Sequence, residues 1–515
     1  MNIVRLQSIK LKYLLAFLLG ILTVPGFAPF YWFPLPLMTL ALLFLFWRQA
    51  TTASQSSWLG FWYGMGLFGV GVTWLYVSLH DFGAMPPAFA IFALIILCAY
   101  LSLYPALCGW LAFRLRAASP YSWGFAVAAT WMLTEWLRGT LFTGFPWLVL
   151  GYSQAPGSPL AGFAPILGVY GVSLVLVISA ALLCLGFAKT KTARQIGLLL
   201  GVIWLGGFGL QSINWVEPEG EPVTVSLLQG NIEQDLKWRE DHVEQTMRTY
   251  AQLVLESKSR LIVTPEISIP LFNDVVPPDY LEYLAEHARK NNGDVLIGLA
   301  EHATNDIDTY YNSMFSYGSS PEQVYRKHHL VPFGEFIPLK PVFGWIIEVL
   351  QIPLSDFSRG STDQTPMQLA DQQVAVNICY EDVFGEEIIY QLPQATVLVN
   401  VSNDAWFGRS IGPHQHLQIS QMRALESGRY MLRSTNTGIT AIIDERGNIL
   451  DQLEVFITAG LHGHAQGFSG ATPYVITGNM LILGIAVLLL CAGLISAISS
   501  QRNASRLIID TTHSE

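Results

Sequence analysis

The chain has 515 residues, of which 51% are hydrophobic and only 13% charged, with a formal net charge of −10. Soluble globular proteins carry roughly 25% charged residues, so an ordinary soluble fold is excluded for much of the chain. No basic stripe is present to neutralise phosphates, which argues against a nucleic-acid partner. The charges are unevenly placed. Residues 212–472 hold 34 of the 38 acidic residues and 16 of the 28 basic ones, a net charge of −18, whereas the remainder holds 4 acidic and 12 basic residues, a net charge of +8. Two materials are joined: a membrane part, and one acidic, water-soluble domain inserted near its end. That domain is long enough for one large core.

A bilayer crossing needs about 20 mostly apolar residues. About eight such runs are expected: 11–30, 34–47, 58–77, 88–113, 123–141, 160–187, 196–210 and 475–498, with the second and seventh short. The expected division is a membrane domain of seven spans over 1–211, a soluble domain over 212–472, and an eighth span with its tail over 473–515. Basic residues decide sidedness. Arg5, Lys10, Lys12, Arg48, Arg114, Arg116, Lys189, Lys191, Arg194, Arg502 and Arg506 fall on one side, against Arg138 in the opposite short loops. This alternation predicts both termini in the cytoplasm and the soluble domain on the outer face, which is the periplasm in a Gram-negative cell. The first span has the charged start and apolar core of a signal peptide, but no convincing small-residue cleavage site, so an uncleaved anchor is expected.

Gly60 and Gly64 in the third span form a small-xxx-small pair, the pattern of close helix packing. Glu135 and Arg138 lie near the fifth span. Charges at that depth are functional suspects, though one turn apart at a span end they are expected to pair structurally. The loop Leu141-Phe142-Thr143-Gly144-Phe145-Pro146-Trp147 suits a membrane-interface turn, either as an aromatic belt or as a substrate contact.

In the soluble domain, 223–228, 261–263, 295–299, 313–317, 374–378, 397–401 and 439–443 read as strands. Residues 243–257 and 280–291 show the three- and four-residue apolar spacing of amphipathic helices, and 381–391 and 416–429 also read as helices. Gly447-Asn448 is a hairpin signal. Alternating strands and helices predict an α/β layered domain. Three probable strand ends carry reactive groups: Glu266 after 260–264, Lys327 after 321–325, and Cys379 after 374–378. Such ends can converge at one edge of a sheet.

Of the five cysteines, only Cys379 lies outside an apolar stretch. It has no local disulfide partner and is either an inert core thiol or a nucleophile. A carboxylate can take its proton, and a fixed ammonium with the backbone N–H after Cys379 can stabilise an oxyanion. Glu266, Lys327 and Cys379 are therefore a plausible acyl-transfer set, weighed against a solvated acid, a surface lysine and a packed thiol. A Cys–His dyad using His328, His329, His414 or His416 stays open. No spaced Cys/His cluster predicts a metal.

The strings Tyr325-Arg326-Lys327-His328-His329-Leu330-Val331-Pro332-Phe333-Gly334-Glu335-Phe336, Cys379-Tyr380-Glu381, Asn403-Asp404-Ala405-Trp406-Phe407-Gly408, Arg433-Ser434-Thr435-Asn436 and Gln229-Gly230-Asn231-Ile232 followed by Lys237-Trp238 resemble the nitrilase superfamily. The likeness is to its membrane branch, the apolipoprotein N-acyltransferases, and covers nearly the whole chain. Ile267 is bulkier than that pattern leads one to expect. The resemblance implies a polytopic membrane domain plus an αββα sandwich, with a Glu266–Lys327–Cys379 triad. It further implies Glu335 as a second acid, Tyr380 and Glu381 shaping the site, and Trp147, Trp238 and Asn312 on the substrate side.

By the same resemblance, a phospholipid, phosphatidylethanolamine above all, gives its acyl chain to Cys379 as a thioester. The α-amine of a diacylglyceryl-cysteine at an apolipoprotein N-terminus then takes it, at the bacterial inner membrane. No cofactor or metal is implied, and a monomer is expected because the acceptor needs lateral access. The apolar run 343–350, with Trp345, either dips into the interface to gate lipid entry or is an ordinary core helix. The alternatives are a membrane-tethered amidase or nitrilase-type hydrolase with water as acceptor, and a non-enzymatic transporter or sensor.

Overall fold

The computed structural model describes residues 8–186, 190–303, 306–338 and 356–512. The chain forms two compact units. One comprises Met1–Thr73, Ile91–Ile213 and Thr477–Glu515; the other comprises Trp74–Ala90 and Asn214–Ile476. Residues 74–90, expected inside the membrane part, thus belong with the second unit. Trp74 Nε1 donates to Gln415 Oε1 at 3.2 Å, Ser78 Oγ donates to the Trp406 carbonyl at 2.7 Å, and the Trp74 ring meets Phe407 edge-on at 4.5 Å.

The first unit is helical. Ile9–Gly26, Pro87–Arg114, Pro159–Gly186, Ala193–Leu210 and Met480–Asn503 are long and apolar enough to cross a membrane. Pro34–Arg48 is apolar but shorter, and Ala53–Gly71 and Pro120–Thr140 are helices with more polar residues at the third and fifth expected spans. Leu198, Val202, Leu205 and Phe208 point outward, the pattern of an apolar face that a lipid rather than water covers. The glycine pattern has a direct cause. A Cβ on Gly60 would collide with the Pro105 carbonyl, and one on Gly66 with the Phe17 carbonyl, so the helix Ala53–Gly71 meets its neighbours backbone to backbone.

Glu135 and Arg138 are both buried, and each serves the loop that follows their helix. Glu135 Oε1 accepts from Trp131 Nε1 at 3.1 Å and from the Leu150 N–H at 3.0 Å. Arg138 Nη1 donates to the carbonyls of Phe145 and Trp147, each at 2.6 Å. The two groups remain within electrostatic reach of each other, and these bonds add to that expected pairing. A buried loop carbonyl needs a donor, and Arg138 supplies it.

The second unit is an αββα sandwich. One six-stranded sheet contains β1 (Glu217–Gln229), β2 (Leu261–Val263), β3 (Asp294–Ala303), β4 (Asp306–Gly318) and β5 (Gln323–Arg326). The other contains β6 (Met367–Leu369), β7 (Gln372–Ile378), β8 (Val397–Ser402), β9 (Met431–Thr435), β10 (Ala441–Ile443) and β11 (Ile449–Gln452). The last strand, β12 (Ala459–Ser469), returns to the first sheet. The orders are β12-β1-β2-β3-β4-β5 and β11-β10-β9-β8-β7-β6. Strands β1–β2–β3 run parallel, as do β7–β8–β9.

The period of two explains the layers. Val374, Val376 and Ile378 enter the core between the sheets with Leu261 and Val263, while Ala375 and Ile262 face outward. Ile262, Val295 and Ile297 are covered by Tyr250, Val254, Leu284 and Ala288 from the helices Glu240–Glu256 and Pro278–Lys290. Ala375 and Leu398 are covered by Leu417 and Ala424 from the helix Gly412–Ser427. The Gly447-Asn448 hairpin forms between β10 and β11. The expected helix over 381–391 is instead three short turns, Cys379–Val383, Gly385–Ile388 and Ile389–Gln391. Glu381 binds backbone outside that segment and breaks the helical run.

Candidate active site

Each parallel triplet ends in a loop that carries chemistry. Glu266 follows β2, Cys379 follows β7, and Ser402 and Asn403 end β8, while Lys327 follows β5. Glu266 and Lys327 meet in one buried cluster, and Cys379, itself half-buried, lies within their electrostatic reach. Lys327 Nζ lies 3.0 Å from Glu266 Oε1 and 2.8 Å from Glu335 Oε1. Asn312 Nδ2 donates to the same two atoms at 2.7 and 3.2 Å. The second Glu266 oxygen accepts the Asn403 N–H at 2.9 Å, and the second Glu335 oxygen accepts the Val331 N–H at 2.8 Å. Lys327 is 1% exposed and Glu266 7%, so both carboxylates and the ammonium are held by protein groups rather than water.

Burial pushes the Glu266 carboxyl up, but Lys327 and Lys237 outweigh it and hold it below the usual range. Burial pushes the Lys327 ammonium down, and Glu266 and Glu335 reverse that strongly. Burial, with the Glu266 charge added, holds the Cys379 thiol well above its ordinary value. The resting site is therefore a carboxylate, an ammonium and a neutral thiol. Cys379 sits at φ +54°, a left-handed conformation that costs a non-glycine residue about 1–3 kcal/mol. It is placed there by the sharp turn from β7 into Cys379–Val383.

Glu381 makes that turn. Its Oε2 accepts the Ile378 N–H at 2.6 Å and the Tyr325 hydroxyl at 3.0 Å; its Oε1 accepts the N–H groups of His328 and His329 at 2.6 and 3.1 Å. One carboxylate thus ties the lysine strand end to the cysteine strand end. Burial pushes it up to about 7, against the pull of those donors. Tyr380 is buried beside it, its ring 5.2 Å from Phe384.

Ile267 takes φ +42° and packs with Leu330, Phe357, Trp238, Tyr310 and Phe336. A Cβ on Gly298 would stand 2.6 Å from the Ile267 nitrogen, so β3 needs glycine where this loop crosses it. Trp238 therefore forms part of an apolar wall beside Glu266. Asn312, expected on the substrate side, is 1% exposed and donates to the two carboxylates. Trp147 is 1% exposed within the first unit. Trp345 and the run 343–350 lie outside the described residues.

Sequence reasoning assigned no role to several neighbours. Lys237 is 4% exposed, donates to the Glu266 carbonyl at 3.3 Å, and is pulled down to about 8 by burial. Ser402 Oγ lies 3.2 Å from Cys379 Sγ and 2.7 Å from Asp404 Oδ1. Asp404 in turn meets His416 Nδ1 at 2.9 Å and Arg433 Nη2 at 2.8 Å, and Asp382 meets His416 Nε2 at 2.9 Å. The rule that exposed Glu266 and Cys379, a polar residue where an apolar strand ends, also applies to Ser402. Three of the four histidines weighed as a dyad partner are engaged elsewhere: His416 by Asp382 and Asp404, His328 by the Gly360 carbonyl, His329 by Glu387. Among the described residues, no group of three His, Cys, Asp or Glu side chains is arranged to hold a metal ion.

Two family models match the chain. The apolipoprotein N-acyltransferase N-terminal domain matches residues 19–182, and carbon-nitrogen hydrolase matches residues 224–458. The apolipoprotein N-acyltransferase of Nitrosomonas europaea is 68% identical over 488 residues, covering 95% of this chain and 98% of the relative. That of Ralstonia nicotianae is 44% identical, covering 93% and 92%. That of Methylococcus capsulatus is 42% identical, covering 96% and 97%.

Proposed function

The chain belongs to the apolipoprotein N-acyltransferase family, a multi-pass membrane branch of the nitrilase superfamily acting in lipoprotein maturation, and from that premise we propose a ping-pong acyl transfer through a Cys379 thioester. The observation that carries this reading is the Lys327 ammonium between the Glu266 and Glu335 carboxylates, at 3.0 and 2.8 Å, with the Cys379 thiol within electrostatic reach of Glu266 and Lys327.

In the first half-reaction Glu266 takes the thiol proton. The sulfur attacks the ester carbonyl of a phospholipid, phosphatidylethanolamine above all. Lys327 and the Tyr380 N–H stabilise the oxyanion. The C–O bond breaks, Glu266 returns its proton to the leaving alkoxide, and lysophospholipid departs. In the second, the α-amine of the diacylglyceryl-cysteine attacks the thioester. Its excess proton goes to Glu266 and then to the departing thiolate, giving N-acyl product and free Cys379. The bond energy of the ester carries through both steps, so no cofactor or metal is needed. Asn312 and Glu335 hold Lys327 and Glu266 in register, and the wall of Trp238, Ile267, Leu330 and Phe357 excludes water from a thioester that must wait for its second substrate.

By the distribution of basic residues, the protein lies in the bacterial inner membrane with the sandwich on the periplasmic side and both termini in the cytoplasm. It acts as a monomer. The boundaries 1–211, 212–472 and 473–515 remain the proposed division into membrane, catalytic and final membrane segments. Trp147 and Trp345 are proposed to serve the lipid substrates.

The test is the intact mass of purified protein after incubation with phosphatidylethanolamine, beside Cys379→Ala. A fatty-acyl increment that hydroxylamine removes and Cys379→Ala lacks is expected. Absence of that increment on folded protein would overturn the thioester. Release of free fatty acid with no N-acylated peptide product would move the chemistry to hydrolysis.

A further inference from the structure

Behind Cys379, beyond Ser402, lies a second buried polar cluster. Ser402, Asp382, Asp404, His416 and Arg433 are each at most 1% exposed. Arg433 bridges both carboxylates, at 3.3 Å to Asp382 Oδ2 and 2.8 Å to Asp404 Oδ2. His416 also bridges them, one ring nitrogen to each. Arg433 Nη2 stands 2.8 Å from His416 Nδ1 as well. Burial and that guanidinium disfavour the imidazolium, but the two carboxylates outweigh them and raise His416 to about 9. Burial pushes Asp404 up, and Arg433 and His416 reverse this to hold it well below the usual carboxylate range. Asp404 is thus ionised, and an ionised carboxylate only accepts hydrogen bonds.

The Ser402 hydroxyl is placed to donate to either of two neighbours, Asp404 Oδ1 at 2.7 Å or Cys379 Sγ at 3.2 Å, but it has one proton and serves only one of them. A charged acceptor at the shorter distance takes the proton. We propose that Ser402 is a positioning residue whose hydroxyl donates to Asp404 and accepts the Cys379 S–H, so that the resting nucleophile is held as a neutral, hydrogen-bonded thiol. The charged groups facing Cys379 are Glu266 and Asp404, which favour the thiol, and Lys327 and Lys237, which favour the thiolate. The thiol leaves Ser402 only when it turns its proton to Glu266. The thiolate then receives no hydrogen bond from Ser402, because Asp404 keeps that proton, and its nucleophilicity is not blunted. A site built this way resists alkylation and oxidation between lipids.

This inference rests on Cys379 as the nucleophile for its meaning, but its test reads the thiol itself. Iodoacetamide labelling of Cys379 is followed by peptide mass spectrometry across pH, in detergent-purified wild type and Ser402→Ala. Loss of an acceptor destabilises the neutral form, so the labelling midpoint of Ser402→Ala falls by about half to one pH unit, and labelling below the midpoint quickens about three- to tenfold. An upward shift, meaning that Ser402 donates to the thiolate, overturns the proposal, as does no shift. A second measurement needs no change at Ser402: the infrared S–H stretch in a wild-type minus Cys379→Ser difference spectrum. A frequency lowered by hydrogen bonding supports the proposal, and the frequency of a free thiol overturns it. If Cys379 takes no acyl group yet both signatures appear, the acyl-enzyme reading falls and the positioning role stands.

Discussion

Two buried ionic clusters flank Cys379 and differ in how their charges balance. In front, Lys327 is shared by Glu266 and Glu335, with Lys237 on the Glu266 backbone. Behind, Asp382 and Asp404 are matched by His416 and Arg433, each cation touching both anions. The rear set is closed, every anion meeting two cations. The front set is open, because the proposed chemistry moves a proton through Glu266 and places negative charge beside Lys327. Burying ions costs several kcal/mol each, and the two clusters meet that cost differently. Closure holds a fold, while an unequal sharing of one cation leaves a carboxylate free to act as a base.

Breaking each cluster tests the contrast. Glu266→Gln keeps the acceptor for the Asn403 N–H but removes the base, so acyl-enzyme formation from phosphatidylethanolamine should slow by about a hundred- to ten-thousand-fold with the melting transition nearly unmoved. Arg433→Met should do the reverse. It leaves two carboxylates with one cation and should cost about 3–5 kcal/mol in denaturant unfolding of the detergent-solubilised protein. If Glu266→Gln unfolds the protein, or Arg433→Met does not, the contrast fails.

His416 sharpens the comparison through pH. Its folded value of about 9 lies above the ordinary 6.5, so its contribution is complete below pH 6.5 and disappears as pH rises through about 9. His416→Gln should lose on the order of 3 kcal/mol at pH 6 and progressively less up to about pH 9. A loss independent of pH would mean a neutral ring and an unbalanced rear cluster. The smallest effect belongs to Asn312→Ala, which removes one donor from both front carboxylates. A loss of about 1.5 kcal/mol is expected, with slower acylation from a less ordered Lys327.

Much of the molecule is legible from composition and period. The apolar runs and the acidic insert separate two materials, and the unbroken apolar runs Leu261–Val263 and Val374–Val376 mark strands buried on both faces. Glu266, Lys327 and Cys379 stand out because each ends such a run. The helix expected over 381–391 does not form, since Glu381 is drawn to backbone donors at Ile378, His328 and His329. No periodicity encodes that attraction. Residues 74–77 read as the end of an apolar span and 78–87 as the loop after it, yet Trp74 and Ser78 are claimed by Gln415 and Trp406. Asn312 shows the same limit: residue type does not reveal that its amide ends up buried against two carboxylates.

Sequence alone determined the class of material at each point, the strand ends where chemistry is displayed, and the family to which the motifs point. These depend on local pattern, because hydrophobic period and turn composition act over a few residues. Tertiary structure alone decided how Glu266 receives the Asn403 N–H from 137 positions away, and how Lys327 reaches Glu266 across 61. It also placed the Ser402 hydroxyl between Cys379 Sγ and Asp404 Oδ1. Protonation in a buried site is set by the summed field of charges brought together from distant strands, and that sum exists only once both sheets have packed.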